Sequence, residues 1–103
     1  MSLDESRFLT LADDTLRRLA DAIDDAIGAE YDVDFEAGIL TIAAGHGQYV
    51  VNKHAPNRQI WLSSPRSGAW HFDWDPATER WRSTRDATVE LTGLLGGELG
   101  VPL

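Results

Sequence analysis

Two sets of carboxylates stand close together early in this chain. Asp21, Asp24 and Asp25 come first, then Asp32, Asp34 and Glu36 at alternate positions. Clustered carboxylates are hard oxygen donors suited to Ca²⁺, Mg²⁺, Mn²⁺ or Fe²⁺. The spacing is not that of an EF-hand, whose loop needs acids at every second position and then a glycine. If the first set rides on a helix and the second on a rigid strand, the side chains cannot easily converge into a closed cage. The chemistry expected is weak, labile and partly hydrated cation binding. The plainer alternative is a solvated helix face, with Asp13–Arg17, Asp14–Arg18 and Arg17–Asp21 as i,i+4 pairs. The acidic strand counts against it, because a solvated helix does not require an acidic neighbour.

A second constellation surrounds Trp61. In QIWLSS, strand alternation puts Ile60 and Leu62 on one face and Gln59, Trp61 and Ser63 on the other. Val50, Asn52 and His71 share Trp61's side by the same logic. An aromatic ringed by polar groups is the usual make-up of a binding hot spot. The alternative is a tryptophan covered by a loop or stacked on its neighbours. His46, His54 and His71 show no metal-binding spacing, and there is no phosphate loop, nucleophile elbow or triad. No residue is assigned a catalytic role. The chain has no cysteine, which excludes disulfides, thiolate metal sites and an all-Cys iron–sulfur cluster held by this chain alone.

The elements that must position these groups follow from periodicity. Residues 5–29 read as a helix: Phe8, Leu11, Ala12, Leu16, Leu19, Ile23, Ala26 and Ile27 share one stripe, and Gly28 is a stop signal. YDVDFE alternates strictly and pairs through Ala37-Gly38 with ILTIAA. QYVVNK, QIWLSS and AWHFDW supply three more strands, with Trp70, Phe72 and Trp74 on one face of the last. Residues 80–83 form a short sixth. A final helix is expected to begin near Asp86 as N-cap, with Val89, Leu91, Leu94, Leu95 and Leu99 as its apolar side. The order predicts an α+β two-layer sandwich. An antiparallel sheet of five or six strands is covered on one face by the N- and C-terminal helices, in a single domain over residues 1–103.

The 103 residues carry a net charge of −8. All of it lies in residues 1–36, where the only bases are Arg7, Arg17 and Arg18; the remainder is neutral. This disfavours nucleic acid and favours cations and basic protein surfaces. No apolar run suits a membrane span. The acidic start MSLDESRF lacks the layout of a signal or transit peptide. The location expected is the bacterial cytoplasm, or the mitochondrial matrix for a processed eukaryotic form.

The stretch GQYVVNKHAPNRQIWLSSPRSGAWHFDW, Gly47 to Trp74, resembles the signature of the frataxin family, which includes the bacterial CyaY proteins. The resemblance extends over the whole chain. It runs from the acidic first helix through YDVDFEAGILTI to the Leu-rich last helix, and it implies the same sandwich. It also implies a function: weak Fe²⁺ and Fe³⁺ binding on an acidic ridge, and regulation of iron–sulfur cluster assembly by docking on the cysteine desulfurase–scaffold complex. The ridge positions implied are Asp14, Asp21, Asp24, Asp25, Asp32, Asp34 and Glu36. The partner-binding positions are Asn52, Gln59 and Trp61, with His71 where many mitochondrial members carry a base. A contact needing a cation there becomes pH-dependent, since free histidine titrates near ~6.5. Iron is the implied labile cargo, other divalent cations can also bind, and a monomer is expected. The alternatives are ferroxidase or iron-storage activity at the ridge, or an acidic interaction module with incidental metal binding. The Gly-rich last helix and short tail predict modest stability.

Overall fold

A computed structural model describes residues 4–103. Helix α1 spans Glu5–Ile27 and is opened by Asp4, whose side chain accepts the Arg7 N–H at 2.8 Å. Its stripe buries Phe8, Ala12, Leu16, Leu19, Ala20 and Ile23. Ala26, assigned to the stripe by sequence, is exposed, and Ala20 takes a core position instead. The helix ends two residues earlier than expected. Gly28 caps it in a right-handed conformation, so positive φ is not the reason for glycine here. A Cβ at this position would collide with Asp24.

Six strands follow: β1 Asp32–Glu36, β2 Ile39–Ala44, β3 Gly47–His54, β4 Gln59–Ser64, β5 Gly68–Asp75 and β6 Arg80–Ser83. Each pairs antiparallel with the next, so the sheet is a meander with β1 and β6 at its edges. The β1–β2 turn uses Ala37 and Gly38, both at positive φ (54° and 78°), the geometry of a tight hairpin.

Helix α2 spans Leu91–Leu99. Its N-cap is Glu90, four residues later than the expected Asp86. Asp86 instead closes a turn of its own, accepting from the Thr88 N–H and hydroxyl. Ser83 N–H bonds Val89 C=O, and Arg82 bridges to Glu90. The segment after β6 is thus held against the sheet edge before it can turn helical. An aspartate that favours a local side-chain turn looks the same in sequence as an N-cap.

One face of the sheet meets the helices. Leu40, Ile42, Tyr49, Val51, Ile60, Leu62 and Phe72 are buried there against α1 and α2, and Trp81 closes the β6 side. Val33, Phe35, Trp70 and Trp74 pack at its margins. The two-layer α+β architecture and six-stranded antiparallel sheet are as the sequence predicted. Among the described residues nothing forms a second layer on the opposite face of the sheet.

Candidate functional site

The strand register lines up one row across the open face. Glu36 pairs with Ile39, Ile39 with Asn52, Asn52 with Trp61, and Trp61 with His71. A parallel row runs from His54 through Gln59 to Asp73. Asn52, Gln59, Trp61 and His71, all singled out by sequence, therefore stand together.

Trp61 is only half-buried, and its ring lies between two imidazoles. His54 stacks on one side with centroids 3.7 Å apart, and His71 on the other at 4.2 Å, both nearly parallel to the indole. Its indole N–H donates to Gln59 Oε1 at 2.8 Å, and Gln59 Nε2 donates to Asp73 at 3.0 Å. The stack holds the tryptophan ring between its two neighbours. The stacked alternative and the surface-exposed reading are thus both realised: the ring is held by neighbours and still faces outward. Sequence missed His54, because its role depends on cross-strand register and not on spacing to another histidine. Its Nδ1 is buried without a hydrogen-bond partner. Sequence also missed Ile39, 43% exposed beside Asn52, an apolar contact on an otherwise polar row.

The carboxylates divide between the two layers. Val33 and Phe35 turn inward, so Asp32, Asp34 and Glu36 project from the open face along edge strand β1, and all three are exposed. Glu36 is thus the end member of the Trp61 row. Asp14, Asp21, Asp24 and Asp25 are exposed on α1, which packs beside β1. The helix and strand carboxylates therefore lie on neighbouring elements. Asp24 and Asp25 occupy the last turn of α1, where no base is present. That end of a helix is its negative pole, and carboxylates there are disfavoured.

The helical ion pairs of the plainer alternative do not form. Asp13 leaves the helix face to bond Lys53 of β3 at 2.7 Å, and Arg18 Nε reaches the Asp14 carbonyl, at 3.4 Å, and not its carboxylate. Among the described residues no three Asp, Glu or His side chains are grouped closely enough to hold a metal ion. The donor set suits hard cations held loosely through water, not a closed site.

One further polar cluster was invisible in the sequence. Glu98 of α2 accepts from Ser64 Oγ at 2.6 Å, Tyr49 Oη at 3.2 Å and Ser67 Oγ at 2.5 Å. Arg66 donates to the Glu98 carbonyl at 3.0 Å. Burial alone would raise the Glu98 carboxyl, but the three hydroxyl donors and Arg66 outweigh it and hold it below the usual carboxylate range. Burial and the Glu98 charge push the Tyr49 phenol up. Together these bonds tie α2 to the sheet.

Comparison with known proteins agrees with this geometry. Residues 1–103 match the model of the frataxin-like domain. A mitochondrial frataxin homolog of Schizosaccharomyces pombe is 38% identical over 102 residues, covering 94% of this chain and 64% of that protein. The iron-sulfur cluster assembly protein CyaY of Ectopseudomonas mendocina is 43% identical over 82 residues, covering 79% of this chain and 73% of its own. The crystal structure of trimeric frataxin from Saccharomyces cerevisiae, complexed with ferrous iron, superposes with a TM-score of 0.78 at 34% identity, covering 97% of this chain and 86% of that one. The chain thus spans somewhat less than two thirds of the fission-yeast relative. Fold, strand signature and full-length family match coincide, and the chain belongs to the frataxin family.

Proposed function

We propose that this protein binds iron loosely on its acidic ridge and regulates iron–sulfur cluster assembly by docking on the cysteine desulfurase–scaffold complex. The observation that carries the reading is the continuous row from Glu36 to His71. It joins the edge carboxylates to an outward-facing, pre-stacked tryptophan on one uncovered sheet face. A relative named for cluster assembly and another complexed with ferrous iron support the same direction.

The roles divide by chemistry. Asp14, Asp21, Asp24, Asp25, Asp32, Asp34 and Glu36 supply a negative field that attracts a basic desulfurase surface and raises the association rate. Asn52, Gln59, Trp61 and His71 make the short-range contact with the scaffold, with Trp61 as the anchor. Its stack lowers the ordering cost on binding, since the ring is already fixed. Iron is cargo, held by exposed carboxylates and water. Iron and the partner compete for the same charges, so each weakens the other. A ferroxidase role has no closed di-iron site to support it. The compartment is that of cluster assembly, the bacterial cytoplasm or the mitochondrial matrix. We take the protein as a monomer, in contrast to the trimeric yeast relative, and sedimentation in the presence of Fe²⁺ distinguishes the two.

The test is binding to an immobilised desulfurase–scaffold pair. Neutralising Asp21, Asp24 and Asp25 together is expected to slow association and remove most of its salt dependence. Trp61→Ala is expected to speed dissociation. Wild-type binding with neither effect would sink the reading.

A further inference from the structure

A third surface lies away from the open sheet and borders the acids of α1, where Arg18 reaches the Asp14 carbonyl. A groove of about 560 Å³ runs between α1 and the β5–β6 edge, with Leu91 and Leu103 completing its wall. Its α1 side carries Arg7, Leu11, Thr15, Arg18 and Ala22 in one file, with Leu19 beside them. Steps of four, four, three and four residues keep these on one helix face.

The rim is basic in a chain of net charge −8. Arg7 and Arg18 stand on α1 and Arg80 faces them from β6, all exposed. Among the described residues no carboxylate lies within 4.0 Å of the Arg7 or Arg18 guanidinium. Arg80 has Glu90 at 3.6 Å, and Glu79 is the one acid on the wall. The floor is apolar, with Trp74 and Trp81 ring centroids 5.3 Å apart. The polar atoms of Trp81 and Thr15 are already used: Trp81 Nε1 donates to Thr15 Oγ1 at 3.0 Å, and Thr15 donates to the Leu11 carbonyl at 2.8 Å. An occupant therefore meets a mainly aromatic and aliphatic floor between cations that ask for carboxylates.

We propose that this groove docks an extended acidic segment of a partner protein, with two carboxylates bracketing an apolar centre. The length selects a peptide over a small amphiphile. Arg7 and Arg18 lie eleven residues apart on one helix, about 16 Å at 1.5 Å per residue. An extended chain spans that in about five residues. A single-headed fatty acid would reach only one of the two arginines.

The probe is fluorescein-Glu-Ala-Leu-Leu-Ala-Glu-amide, followed by anisotropy at low salt with the full chain. Saturable binding is expected, lost when both probe glutamates are replaced by glutamine. An Arg7→Glu/Arg18→Glu variant is expected to weaken it at least about tenfold. Both positions are exposed, and circular dichroism checks the fold. Arg80→Glu, on a different element, is expected to weaken it as well and keeps the test available if the double variant misfolds. Four results would each overturn the proposal: no saturable binding, equal binding of the glutamine peptide, unchanged affinity in folded charge-reversed variants, or binding of decanoate without the peptide.

Discussion

Removing the Glu98 carboxylate is expected to loosen α2 from the sheet by a calculable amount. Three hydroxyls donate to it, but their fates differ when it is gone. Ser67 is exposed and turns to water. Tyr49 Oη lies 2.9 Å from His46 Nε2 and keeps a partner. Ser64 is buried, and its oxygen is already occupied accepting the Arg66 and Ser67 N–H groups at 3.0 Å. Its O–H proton is therefore orphaned, at a cost of about 1–3 kcal/mol, with lost charge assistance adding to it. We expect Glu98→Ala to cost about 2–3 kcal/mol, a fall in Tm of roughly 10–20 °C for a domain of this size. Glu98→Gln keeps a carbonyl acceptor for Ser64 and is expected to cost about 1 kcal/mol. Urea and thermal melts followed by circular dichroism measure both. The pH dependence carries a separate sign. The Glu98 pKa is lowered by folding, so its contribution is present above the unfolded value and is lost as pH falls through the folded one. Wild type should lose stability relative to Glu98→Gln below about pH 4.5. A Glu98→Ala loss under about 1 kcal/mol, or identical acid profiles for wild type and Gln, would refute the reasoning.

Other expectations follow from single positions. Gly97→Ala meets open space inside α2 at an ordinary helical φ, so it should stabilise by roughly 0.5–1 kcal/mol in urea melts. Gly96→Ala should destabilise, because its Cβ would stand 2.7 Å from the Val101 carbonyl where the tail folds back. Asp25→Asn should raise stability by about 0.3–0.5 kcal/mol, since it removes an i,i+4 repulsion with Asp21 at the negative end of α1. The same change should weaken Fe²⁺ binding in calorimetric titration, so stability and cation affinity move in opposite directions. Stability that falls in Asp25→Asn would contradict a ridge kept for function.

The fold was legible because every strand alternates and every turn carries its own chemistry. YDVDFE could be placed inward and outward residue by residue, and Ala37-Gly38 fixed the register of the first hairpin. The site was legible in part. Trp61, Asn52 and His71 fall on one face by counting alone, but the His54 stack needs the β3–β4 register, which a Pro56-containing 3-10 turn sets. The Glu98 latch joins residues 49, 64, 67 and 98, and no local pattern brings them together. Asp13 was read as a helix-surface pair because sequence cannot show Lys53 crossing from the sheet. The start of α2 was misread because an aspartate before Thr-Val supports a turn as well as a cap. Local periodicity therefore identified the layers, and long-range side-chain bonds decided the details that differ.

The central claim is that the Trp61 row is the working contact. Trp61 lies outside the buried core, so Trp61→Ala should keep the fold. The most direct measurement is the rate of cluster formation by an active desulfurase–scaffold pair, with wild-type protein and with folded Trp61→Ala. The account predicts that wild type changes the rate and the variant does not. An equal change from both, or none from wild type, would contradict it.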